Sequence, residues 1–176
     1  ADAYELLGAD KNIITIAGNL KFTTALNTSQ ATEENIFSTN REYVLVASTH
    51  DDEEKQIYDL WKKLRRDELL IFAPRHPERG PSISRKLACD NIAIRSKGQP
   101  ITSNTEIFLL DTVGELSNYF TNAKLVIMGG SFTPVGGHNI LEPASFNNAI
   151  ITGPYMGNFR QDSRLMLNKQ AVGQVS

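Results

Sequence analysis

The sequence predicts an α/β fold: a Rossmann-like parallel sheet flanked by helices. Three observations predict it. Short apolar runs rich in Val, Ile and Leu recur along the chain. They are apolar throughout rather than alternating, as strands covered on both faces are. Segments of helical periodicity separate several of them, and a strand-helix alternation repeated about five times is the pattern of right-handed crossovers in a doubly wound sheet.

The elements are expected in this order. Strands fall at 13–17, Tyr43–Ala47, Leu69–Ala73, Ile107–Leu110, Leu125–Met128 and Ala149–Ile151, each bounded by Gly, Pro, Ser or Thr nearby. The clearest helix is Asp51–Arg66, where Ile57, Leu60, Trp61 and Leu64 share a face and lysines and arginines take the other. Its acidic start and basic end suit the helix dipole. Further helices are expected at Ser82–Cys89, Gly114–Asn122, Asn139–Asn147 and Phe159–Lys169. The polar stretches Thr23–Asn40 and Arg95–Glu106 read as a long connection and a surface loop, and the last residues, 171–176, as a strand just beginning.

Composition bounds the function. A chain of 176 residues can bury roughly 70% of its unfolded surface, enough for one full domain. Hydrophobic content of 40% and charged content of 22% are those of a globular domain. Eighteen basic against twenty acidic residues leave a net charge of −2, so there is no bulk field for nucleic acid. One cysteine, Cys89, excludes an internal disulfide and fits a reducing compartment. The sequence has no run long enough for a membrane span and no signal segment at its front. With no initiator Met and a strand beginning at its end, the chain reads as an excised domain.

In a doubly wound sheet, ligands sit beyond the carboxyl ends of the strands, so residues following each apolar run are the candidates. Here these are Gly18 to Lys21, Ser48 to Asp51, Pro74 to Pro77, Asp111 to Glu115, and Gly129-Gly130-Ser131 followed by Gly136 to Pro143. The glycines match neither G-x-G-x-x-G nor a P-loop. They offer instead close backbone approach and a helix start, with a phosphate expected near His138 and Asn139. Asn139-x-x-Glu142 and Thr112-x-x-Glu115 also match the capping box, a purely structural alternative. A carboxylate at 142 could instead accept ribose hydroxyls. Arg75, between Pro74 and Pro77, could grip phosphate, or pair with Glu78 or Asp111. Lys21 alone reads as a solvated lysine. The three histidines lack metal-ligand spacing, so no metal is expected, and no cofactor.

Together, Gly18-Asn19-Leu20-Lys21-Phe22, Ser48-Thr49-His50 with Glu53-Glu54, Ala73-Pro74-Arg75-His76-Pro77-Glu78-Arg79, Asp111-Thr112-Val113-Gly114-Glu115-Leu116, and Gly129-Gly130-Ser131 with Gly136-Gly137-His138-Asn139-Ile140-Leu141-Glu142-Pro143-Ala144 resemble the carboxyl-terminal half of bacterial 3-deoxy-D-manno-oct-2-ulosonic acid (Kdo) transferases. The resemblance runs in order through nearly all of the chain. It implies one half of a GT-B glycosyltransferase that moves Kdo from CMP-Kdo to the lipid A precursor at the cytoplasmic face of the inner membrane. Residues 1–176 would be the donor-binding domain, cut near its end. Pro74, Arg75, Val113, Gly114, Glu115, Gly130, Ser131, His138, Asn139, Ile140, Leu141 and Glu142 would line the nucleotide site, and Lys21 would stabilise the departing charge. The general base, acceptor site and membrane contact would belong to an amino-terminal domain, so this fragment alone would be inactive. The family commonly has Gly where Asp52 stands and an acidic residue where Thr23 stands. Alternatives are another GT-B nucleotide-sugar transferase or a 2-epimerase using uracil, and a nucleotide-binding module without chemistry.

Overall fold

Seven parallel strands form one sheet in the order β3-β4-β2-β1-β5-β6-β7. The computed structural model describes residues 2–15, 36–64 and 66–176. Its strands are β1 (Tyr43–Thr49), β2 (Leu69–Pro74), β3 (Ile92–Ile94), β4 (Ile107–Leu109), β5 (Leu125–Met128), β6 (Ile150–Thr152) and β7 (Gly173–Gln174). The helices are α1 (Asp2–Leu6), α2 (Glu53–Leu64), α3 (Gly80–Leu87), α4 (Leu141–Ser145) and α5 (Arg160–Asn168). The parallel sheet with flanking helices is the architecture expected.

Alternation along the central strands explains the two-sided core. Val44, Val46, Leu70, Phe72, Ile107 and Leu109 point to one face and pack with Tyr58 of α2 and with Ile83 and Leu87 of α3. Tyr43, Leu45, Ala47, Leu69, Ile71, Ala73, Val126 and Met128 point to the other, against Tyr119, Phe120, Leu141 of α4 and Met166 of α5. β1 and β2 are buried along nearly their whole length, so these strands read as uninterrupted apolar runs.

Several expectations change. No strand forms over the described part of 13–17: Lys11–Ile13 is a 3-10 turn begun by Asp10, whose Oδ1 accepts the Asn12 N–H at 2.9 Å. Residues 16 and 17 lie outside the described residues, as do residues 23–35 of the connection at 23–40. The helix expected at Gly114–Asn122 is a four-residue 3-10 turn, Leu116–Tyr119. Gly114 is left-handed (φ 84°), a conformation that cannot open an α-helix. The helix over Asn139–Asn147 shortens to α4, closed by the left-handed Asn147 (φ 59°). β3 was missed because three residues between polar loops carry too short a pattern. The strand beginning near residue 171 is present as β7, paired with β6.

The chain leaves β1 toward β2, while β5 joins β1 on its opposite side. The gap between the carboxyl ends of β1 and β5 is therefore the topological switch point.

Candidate nucleotide site at the switch point

Two glycines allow the strand ends to meet. β1 shifts register between Ala47 and Thr49, where Ser48 is left-handed (φ 56°). The bulged backbone presses against Gly129, where a Cβ would stand 2.6 Å from Ser48 O and from Thr49 Cα. Gly130 is left-handed (φ 64°), and a Cβ there would meet the His138 ring at 2.8 Å and the His50 ring at 3.2 Å. The Gly137 N–H bonds to Gly130 O at 2.7 Å and closes the turn that presents His138.

The two imidazoles that follow face each other. Nε2 of His50 and Nε2 of His138 are 2.8 Å apart and the rings are nearly parallel, at 8°. His76 meets His50 edge-on at 5.9 Å between centroids. Burial, then the neighbouring His50, Arg75 and His76, push the His138 pKa down to about 4. Burial also lowers that of His50, with Glu53 opposing and His76, Arg79 and Arg75 reinforcing. One ring must then donate and the other accept, both uncharged at neutral pH.

Arg75 follows β2, its N–H bonded to Thr49 O at 3.0 Å. Its guanidinium is exposed and has no ion-pair partner among the described residues. Neither suggested partner holds it: Glu78 lies 3.5 Å from His76, and Asp111 accepts the Ser96 N–H at 2.8 Å and its hydroxyl at 2.6 Å. Pro74 ends β2 and is buried.

The capping box at Asn139 and Glu142 is half built. Asn139 Oδ1 accepts the Leu141 N–H at 3.1 Å, but the Glu142 carboxylate has no hydrogen-bond or ion-pair partner among the described residues. Burial raises its pKa. At five residues α4 contributes little dipole field, so anion binding rests on side chains and loop amides. Ile140 and Leu141 are core residues. Ser131 is wholly buried, its hydroxyl donating to Met128 O and accepting the Gly153 N–H at 2.8 Å, so it joins β5 to β6 instead of facing the gap.

Val113, Gly114 and Glu115 lie beyond β4, three strand spacings or about 14 Å from β5. Val113 is 85% exposed. Glu115 makes no cap; Arg95 binds it through Nε (2.8 Å) and Nη2 (3.1 Å), and Thr112 donates to it at 3.2 Å. The Arg95 bond holds its pKa below the usual carboxylate range. Lys21 and Thr23 lie outside the described residues. Asp52 is left-handed (φ 69°), the conformation glycine adopts without strain.

Sequence reasoning assigned no role to two buried acids. Glu53, 0% exposed, accepts the N–H groups of His50 (2.8 Å), Gly130 (2.7 Å) and Phe132 (3.0 Å), clipping together the loops after β1 and β5. Glu54 accepts the Thr49 hydroxyl at 2.6 Å and two Arg79 bonds at 2.9 and 3.1 Å. Both were read as first-turn acids favoured by the helix dipole. The signal was their place at the start of the helix that follows the rim residues Ser48 to Asp51. A cavity of about 490 Å³ lies elsewhere, near Arg41, Trp61 and Glu68. Its arginine is engaged by the carbonyls of Thr105 (2.6 Å) and Asp67 (2.7 Å), so charge chemistry and not concavity locates the candidate site.

No family model matches the chain. It is 35% identical over 167 residues to the 3-deoxy-D-manno-octulosonic acid transferase of Rickettsia typhi, covering 90% of this chain and 36% of that protein. It is 34% identical over 188 aligned positions to the probable mitochondrial 3-deoxy-D-manno-octulosonic acid transferase of Arabidopsis thaliana, covering 98% and 42%. The chain thus spans about two-fifths of the length of these curated relatives. Among solved structures it resembles the C-terminal CMP-Kdo binding domain of WaaA from Acinetobacter baumannii, with a TM-score of 0.71, 30% identity, and coverage of 88% of this chain and 83% of that one. With the ordered motifs, the parallel sheet and this agreement in both sequence and structure, the chain belongs to the 3-deoxy-D-manno-octulosonic acid transferase family.

Proposed function

We propose that this chain is the donor-binding half of a glycosyltransferase that moves Kdo from CMP-Kdo to the lipid A precursor, lipid IVA. The reading rests on one juxtaposition: at the switch point of a family fold, two uncharged imidazoles face each other with the Arg75 guanidinium close enough to act on His138, and four residues beyond His138 stands the Glu142 carboxylate, neither Arg75 nor Glu142 having an ion-pair partner among the described residues. The CMP phosphate takes the side of Arg75, His50 and His138, with Gly130 giving it backbone approach. The ribose hydroxyls donate to Glu142. The base lies toward Pro74 and the loop of Val113, Gly114 and Glu115. Asn139 holds the turn before α4, while Ser131, Ile140 and Leu141 fix its backbone from within.

During transfer the bond from the Kdo anomeric carbon to the phosphate oxygen breaks, and its electrons leave on CMP. Arg75 neutralises that charge, and Lys21 is assigned the same task by the family resemblance. A glutamate of the amino-terminal domain removes the proton of the acceptor hydroxyl, whose oxygen bonds to the anomeric carbon. That domain also holds the acceptor and the contact with the inner membrane, so the isolated chain binds CMP and transfers nothing. Among the described residues, no helix is long and apolar enough to cross a membrane.

Calorimetric titration tests the reading. CMP should bind more tightly than UMP, and Glu142→Ala should weaken CMP by about tenfold, ~1.4 kcal/mol. Equal affinity for the two nucleotides, or an unaltered CMP affinity in the variant, refutes it.

A further inference from the structure

A second concavity adjoins the glycine turn. It has a volume of about 510 Å³, within the roughly 300–1,000 Å³ of ligand clefts, and its walls come from the loops after β5 and β6, from α5 and from β7. Hydrogen bonds couple it to the switch point: Asn158 N–H donates to Gly136 O at 2.9 Å, and Gly137 N–H to Gly130 O at 2.7 Å. A Cβ on Gly136 would strike Asn158, so the two loops touch. The width of the glycine turn separates this cavity from His138.

Its lining is cationic and hydrogen-bonding. Arg160 and Arg164, one helical turn apart on α5, both line it, and neither has an ion-pair partner among the described residues. Unpaired cations at that spacing repel one another, so an anion between them relieves a cost already present. Ser163, 3% exposed as a residue, also lines the cavity, so its hydroxyl is available to a molecule seated there.

We infer that this cavity is the subsite for the acidic sugar of the donor, with Arg160 and Arg164 pairing with its carboxylate and Ser163 bonding to a ring hydroxyl. The inference rests on the donor reading above. The sugar is linked to the phosphate, so its seat must adjoin the phosphate site, and Kdo, an acid, brings the anion the arginines lack. A guanidinium fork suits a carboxylate, and a neutral sugar would leave both forks unpaired, which makes the pair a determinant of donor specificity.

The experiment uses the whole enzyme that carries this chain. In Arg160→Ala/Arg164→Ala, kcat/KM for CMP-Kdo should fall about tenfold or more, while CMP, which lacks the sugar, inhibits with an unchanged constant. Both side chains are exposed, so the thermal midpoint should not move. The double Arg→Lys variant keeps the charges without the forks and should recover part of the loss. An unchanged kcat/KM for the donor overturns the inference, and so does an equal weakening of CMP. If CMP fails to bind even the unaltered protein, it is the donor reading itself that falls.

Discussion

Nε2 of His50 and Nε2 of His138 stand 2.8 Å apart across the gap between β1 and β5. The strand ends supply the backbone for this contact, Gly130 leaves it room, and Glu53 ties down both loops. Two imidazoles so close share one hydrogen when neutral and repel when both are charged.

The pair should make nucleotide binding pH-dependent. A folded pKa of about 4 for His138, below the ordinary value near 6.5, means that the unfolded chain binds more protons between those limits. Its contribution to stability is complete above about pH 6.5 and is lost as pH falls toward 4. A phosphate dianion beside the pair favours protonation, so CMP titrated at pH 6 in buffers of different ionisation enthalpy should show proton uptake. His138→Ala should remove most of that uptake; buffer-independent heats in the unaltered chain would contradict the placement of phosphate.

Arg75 has an exposed guanidinium with no ion-pair partner among the described residues, so its removal should leave the fold intact. With the amino-terminal domain present, Arg75→Ala should lower transfer by an order of magnitude or more, with a thermal midpoint within a degree or two. Near-normal rates would remove it from the site.

Gly130→Ala probes the close approach. The new methyl meets both imidazole rings on a left-handed backbone, a strain of about 1–2 kcal/mol before any clash. CMP affinity should fall at least tenfold while the sheet persists by circular dichroism. An unaltered affinity would show that the ring spacing does not matter.

Glu53→Gln should be the most destabilising of these changes. The buried carboxylate accepts three N–H groups, and an amide in its place turns donors toward donors. Denaturant unfolding should report a loss of at least about 2 kcal/mol. A loss under about 0.5 kcal/mol would mean that the loops hold their positions without it.

The sequence by itself determined the parallel sheet, because Tyr43–Ala47, Leu69–Ala73 and Leu125–Met128 are apolar on both faces and alternate with helical segments that can cover them. It also placed Arg75, His138 and Glu142 after strand ends, since those ends are marked by the composition change itself. What the tertiary structure decided was pairing across strands. His50 and His138 are 88 positions apart, and only the β1–β5 pairing brings them into contact. The same pairing makes Glu53, legible as an ordinary helix-start acid, the acceptor of amides from two loops. The ambiguity at Glu115 and Glu142 was resolved in the same way: one carboxylate found Arg95 and the other found no partner among the described residues. Local spacing records what each segment can do; which groups are left unsatisfied depends on distant segments, because hydrogen bonds and charge pairs form through space.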